Sequence, residues 1–100
     1  MKRHGQYYVY ILKCADGTYY TGYTVDLKRR LDTHNKGRGA KYSRARRPVK
    51  LVYAKNYRYY KLAINTERKI KTFSRKQKTD LVEFYAQKRG KRRKNSLWSL

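Results

Sequence analysis

Tyr7 to Thr24 read YYVYILKCADGTYYTGYT, and the fold turns on how this stretch pairs with itself. Tyr7–Cys14 and Thr18–Thr24 are rich in aromatic and β-branched residues, and Ala15-Asp16-Gly17 between them is a turn signal. The stretch predicts a β-hairpin. Loop length decides its parity. A three-residue loop sets Tyr10 opposite Gly22 and Leu12 opposite Tyr20, so that Tyr10 and Tyr20 share a face as diagonal neighbours. A two-residue loop would send them to opposite faces. The three-residue loop is expected, with Gly17 in the left-handed conformation that only glycine adopts without strain.

Working outward, Thr24 reads as a helix N-cap, with Asp26 in the first turn favouring the helix dipole. Leu27 and Leu31 make the buried stripe, and Gly37 and Gly39 end the helix. Arg38 to Pro48 is a basic loop. Val49–Tyr57 reads as a third strand; its inward set is either Val49, Leu51 and Tyr53 or the alternate residues. Tyr60–Phe73 is a second helix with Ala63, Ile64, Ile70 and Phe73 inward. Ser74 and Gln77 form a capping box for a third helix carrying Leu81, Phe84 and Tyr85. The order β-β-α-β-α-α predicts a small α+β domain, a three-stranded antiparallel sheet flanked by helices that bury one sheet face. Residues 6–87 form this domain, and 88–100 are expected to be a mobile basic tail. Leu97, Trp98 and Leu100 either dock on the core or stay loose.

The chain has 28 Lys and Arg against 6 Asp and Glu, a net charge of +22 on 100 residues. Such a field repels itself and attracts polyanions, of which nucleic acid is the commonest. Twelve tyrosines and a hydrophobic fraction of 39% argue against a disordered chain. No apolar run approaches the roughly 20 residues of a membrane span, and the first residues lack the apolar core of a signal peptide. A lone Cys14 excludes an internal disulfide and a thiolate metal cluster. A reducing cytoplasm, close to the nucleoid, is the expected location.

Three groups of residues stand out for chemistry. Glu67 is four after Ala63 and three before Ile70, on the inward stripe of its helix. A carboxylate there is costly without a partner. The plain reading is a salt bridge to one of the many cations. The sharper one is a ligand for Mg²⁺, which rarely receives a full protein cage. Arg30 and His34 are four apart and share a helix face; Arg29 is expected to be the solvent-facing neighbour, though periodicity alone separates the two arginines poorly. An arginine there suits the charge on a phosphoryl centre. Tyr8, Tyr10, Tyr19, Tyr20 and Tyr23 are the third group. Ordinary packing explains most of them, but dense positive charge lowers a phenol's pKa, which would let one tyrosine take a proton from water.

These residues resemble the GIY-YIG nuclease domain, and closely its small stand-alone bacterial branch. Tyr8-Val9-Tyr10 stands where that family has GIY, and Tyr20-Thr21-Gly22 where it has YIG. The run Gly22–Leu31 continuing to His34-Asn35, and the run Tyr59–Lys71, match further family segments, so the likeness spans about Gln6 to Tyr85. Tyr8, Val9 and Thr21 depart from the family pattern, but the phenols are kept. The resemblance implies that Tyr10, Tyr20, Arg30, His34 and Glu67 are catalytic and that Glu67 holds one Mg²⁺ or Mn²⁺ ion. It implies an endonuclease cutting DNA, ahead of RNA, by in-line displacement: a tyrosine deprotonates the water and the arginine steadies the pentavalent phosphate. Structure-selective cutting in repair or recombination is the expected role; the alternative is a non-catalytic module that binds DNA or RNA. Arg29, Lys41, Arg44, Arg46, Arg47, Lys91, Arg92 and Arg93 are the expected phosphate contacts.

Overall fold

The computed structural model describes residues 4–39 and 44–92. In chain order it has β1 (His4–Lys13), β2 (Tyr19–Thr24), α1 (Leu27–Asn35), β3 (Lys50–Tyr59), α2 (Tyr60–Lys71) and α3 (Arg75–Arg92). The three strands form one antiparallel sheet in the order β2-β1-β3. β1 takes the centre because its side chains suit burial on both faces. Tyr7, Val9 and Ile11 point to one core, and Tyr10 and Leu12 to another.

The hairpin has the expected register, with Tyr10 opposite Gly22 and Leu12 opposite Tyr20. Gly17 sits at φ 86°. Asp16 Oδ1 locks the turn by accepting from the Thr18 amide at 3.1 Å and the Thr18 hydroxyl at 2.6 Å.

Both faces of the sheet are covered, not the one face expected. On one side α2 and α3 bring Ala63, Ile70, Leu81, Val82 and Tyr85 onto Val9, Ile11 and Tyr53. On the other, α1 lays Leu27 and Leu31 over Tyr10, Leu12 and Ala54. The third strand serves both cores through an irregularity in its pairing. Ile11 pairs with Tyr53 but Leu12 with Leu51, so Val52 is the extra residue of a bulge. Val52 and Tyr53 consequently pack toward the same side, and Leu51 and Ala54 toward the other. Neither simple alternation describes that strand.

Asp26, not Thr24, caps α1. Its carboxylate accepts from the Arg29 amide at 3.1 Å. Thr24 is still held in the sheet opposite Tyr8, so the helix starts only after the chain has left β2. The Thr24 hydroxyl instead accepts from the Asp26 amide at 3.2 Å. At the far end Gly37, at φ 81°, closes the helix, and the Arg38 amide donates to Thr33 O at 3.0 Å. The Ser74–Gln77 capping box forms as expected. The Ser74 amide donates to Gln77 Oε1 at 2.8 Å, and the Gln77 amide to Ser74 Oγ at 3.1 Å. Phe84 is exposed, because the apolar stripe of α3 runs through Leu81, Val82 and Tyr85 instead. The helix continues to Arg92, past the boundary at 87. Leu97, Trp98 and Leu100 lie outside the described residues.

Candidate active site

The central strand delivers Tyr10 to the α1 side of the sheet, where its side chain is 1% exposed. Its ring leans toward β2 across Gly22. A Cβ at Gly22 would lie 2.6 Å from the Tyr10 hydroxyl and 3.2 Å from the Tyr20 ring. Only a glycine leaves room for that approach.

One turn of α1 supplies two partners for the hydroxyl. Arg30 Nε donates to Tyr10 Oη at 3.3 Å, and His34 Nε2 lies 3.2 Å from the same oxygen. The i, i+4 spacing of Arg30 and His34 is what aims both at one point. Tyr20 completes the cluster, with ring centroids 6.4 Å from Tyr10 and 5.2 Å from His34. His34 is fully buried. Gly39 crosses its ring so closely that a Cβ there would collide with Nδ1.

Burial and charge fix the protonation of this cluster. His34 is pushed down to about 4, first by burial and then by the Arg30 charge, so the imidazole is neutral near pH 7. Hydrogen bonding to Tyr10 raises the already high pKa of Arg30. Tyr10 is pushed up to about 12. This corrects the expectation that surrounding charge lowers the phenol. Arg30 does pull it down, but burial outweighs that pull. Arg30 donates to Tyr10 Oη; along the Tyr10–His34 contact the phenol donates in the tautomer that leaves Nε2 unprotonated.

Glu67 lies on the sheet-facing stripe of α2 with Ala63 and Ile70, and is 8% exposed. Its charge contributes to the raised pKa values of both Tyr10 and Tyr23, which sets it beside the hairpin. Lys71, one turn on, places Nζ 3.0 Å from Glu67 Oε2. The plain reading of Glu67 as half of a salt bridge is therefore present in the structure. The sharper reading fits as well. A lone, largely buried carboxylate paired with an ammonium from the surface is compatible with an ion that keeps most of its own waters. Among the described residues there is no group of three or more side chains that would cage a metal.

A model of the GIY-YIG catalytic domain matches residues 6–80. The chain belongs to the GIY-YIG family. It is 51% identical over 83 residues to a UPF0213 protein of Bacillus pumilus, covering 83% of this chain and 84% of that one. It is 50% identical over 78 residues to the UPF0213 protein SH2523 of Staphylococcus haemolyticus, covering 78% and 95%. The solution structure of the UPF0213 protein BH0048 from Bacillus halodurans superposes with a TM-score of 0.54 at 44% identity, covering 80% of this chain and 85% of that one. Protein EF2693 from E. faecalis does so with a TM-score of 0.58 at 38% identity, covering 86% and 92%. GIY-YIG domains are nuclease domains, which makes nucleic acid the substrate class and a divalent metal the general requirement.

The GIY-YIG cluster thus gathers Tyr10, Tyr20, Arg30 and His34 directly. Glu67 comes from α2, on the helix stripe that carries Ala63 and Ile70, and reaches Tyr10 only as a weak electrostatic influence. Two supporting residues escaped the sequence reading. Gly22 carries the Tyr10 hydroxyl, and its place opposite Tyr10 in the register was the available signal. Asn35 grips β3 by accepting from the Val49 amide at 2.8 Å and donating to Val49 O at 3.1 Å. Of the basic residues, Arg29 and Arg44 are exposed. Arg46 Nε binds Asp16 Oδ2 at 3.0 Å, tying the loop to the hairpin turn. Arg47 Nε donates to Arg44 O at 2.8 Å. Lys91 and Arg92 fall in the last turn of α3, and Lys41 and Arg93 outside the described residues. No helix among the described residues is long and apolar enough to cross a membrane.

Proposed function

We propose that this chain is a metal-dependent endonuclease that hydrolyses DNA phosphodiesters in a single in-line displacement. The observation that carries the reading is the Tyr10 hydroxyl held between Arg30 Nε and His34 Nε2. Tyr10 is the group that takes the proton of the attacking water. Below its pKa it does so by passing its own proton to His34, which is neutral near pH 7 but, held down to about 4 by burial and Arg30, accepts it only in concert with the transfer from water. Arg30 bonds Tyr10 through Nε, and its terminal nitrogens meet the non-bridging oxygens of the phosphate as charge builds there. Tyr20, alongside, orients the phosphate or the water.

Glu67 would hold the metal, one Mg²⁺ or Mn²⁺. When bound, that ion takes charge from the leaving 3′ oxygen. The +22 charge draws the DNA in, with Arg29, Lys41, Arg44, Arg46, Arg47, Lys91, Arg92 and Arg93 as phosphate contacts that position without reading sequence. A branched or nicked DNA of the kind met in repair or recombination is the proposed target, since these contacts select shape rather than base.

One observation favours the non-catalytic alternative: a phenol pushed up to about 12 is almost wholly protonated near pH 7, so little phenolate is present to act as a base. The two readings part on a single assay. Branched, nicked and single-stranded DNA are incubated with the protein and Mg²⁺, and the ends are mapped. Cuts leaving 5′-phosphate and 3′-hydroxyl, lost in Glu67→Gln, support the nuclease. Tight binding with no cut under Mg²⁺ or Mn²⁺ overturns it.

A further inference from the structure

We propose that Lys71 is the resident counter-ion of Glu67, and that a divalent ion binds only by displacing it. This rests on Glu67 being the metal carboxylate.

The asymmetry of the pair carries the inference. Glu67 keeps only 11% of its side chain exposed, held by the packing of α2, whereas 51% of the Lys71 side chain is exposed. The acid stays put and the ammonium is free to swing into solvent. While it stays, it occupies Oε2 at 3.0 Å, an oxygen an incoming ion needs. Lys78 adds to the effect from α3. It sits close enough to Lys71 for that charge to lower its pKa, after burial. An arriving divalent ion therefore meets the Lys71 ammonium on the carboxylate itself. Once displaced, Lys71 adds its charge to that of Lys78 where a phosphate would approach. By reciprocity, an anion that draws Lys71 away strengthens the hold of Glu67 on its ion. The chain keeps a low resting affinity for metal until such an anion arrives.

The test is Mn²⁺ binding to the full chain without DNA, read as the free-ion signal in electron paramagnetic resonance. Removing one competing charge from this largely buried carboxylate tightens the Kd by about 3- to 10-fold in Lys71→Met. Lys71→Arg, which keeps the competitor, stays within about twofold of wild type, as does Lys69→Met, which removes an exposed charge from the same helix. An affinity in Lys71→Met no tighter than in Lys69→Met overturns the proposal. Glu67→Gln in the same titration separates the two levels. Loss of Mn²⁺ binding there with no effect of Lys71→Met refutes the counter-ion role alone. Unchanged Mn²⁺ binding in Glu67→Gln removes the metal reading, and the counter-ion role with it. Circular dichroism verifies folding, and Lys71→Gln serves in place of Lys71→Met if that variant does not fold.

Discussion

The Tyr10 hydroxyl rests on the backbone of Gly22, closer than any side chain would allow. A Cβ added at Gly22 would come within 2.6 Å of Oη and 2.8 Å of Cζ. The missing side chain on β2 is what lets a buried phenol reach across the hairpin to Arg30 and His34.

Gly22→Ala is therefore expected to push Tyr10 out of place. Overpacking of this kind costs about 1–3 kcal/mol. Urea unfolding should show that loss. Any DNA cleavage should fall further than stability alone explains, because both hydrogen bonds to the hydroxyl are disturbed.

Asn35 holds the end of α1, and with it His34, against the start of β3. Asn35→Ala removes both hydrogen bonds to Val49, whose side chain is buried. The expected loss is roughly 2 kcal/mol. Asn35→Asp still accepts from the Val49 amide but no longer donates to its carbonyl, so it should fall between the two in the same denaturation series.

His34 makes stability depend on pH. Its folded pKa, about 4, lies below the ordinary value of 6.5. Between those values the unfolded chain binds more protons than the folded one, so stability rises with pH. The contribution is fully present above about pH 6.5 and is lost as pH falls toward 4. Its size is roughly 2–3 kcal/mol. Denaturation midpoints measured from pH 7 to pH 4 should drop, and in His34→Gln that part of the slope should vanish.

Tyr10, pushed up to about 12, predicts the opposite limb for catalysis. The fraction of phenolate grows tenfold per pH unit below the pKa. If direct proton transfer to phenolate competes with the His34 relay, kcat/KM keeps rising above pH 8 with no plateau up to about pH 10. Tyr10→Phe should flatten the profile.

Much of the site was legible in the residues alone. The three-residue turn fixed which tyrosines share a face, because strand parity leaves no freedom once loop length is known. The spacing of Ala63, Glu67 and Ile70 placed the acid on the inner stripe of its helix, where it is found. What stayed hidden depends on how elements meet. The bulge at Val52 breaks the alternation of β3, so no periodic pattern exposes it. Cover on the second sheet face comes from α1 laying Leu27 and Leu31 over Tyr10 and Leu12, a tertiary placement that the helix's own pattern does not specify. Thr24 and Asp26 are both good caps, and only the reach of β2 decides between them. The direction of the Tyr10 shift is a contest between burial and charge, and sequence reveals the charge but not the depth.

The central claim is that the phenol of Tyr10 takes the proton of the attacking water while Glu67 provides for the metal. Single-turnover cleavage of branched DNA under Mg²⁺, with binding measured on the same samples, tests it most directly. Tyr10→Phe and Glu67→Gln should each bind DNA within about threefold of wild type and cut it about 10²- to 10⁴-fold more slowly, the range for losing a positioned proton acceptor. Cutting by Tyr10→Phe at the wild-type rate would contradict the claim.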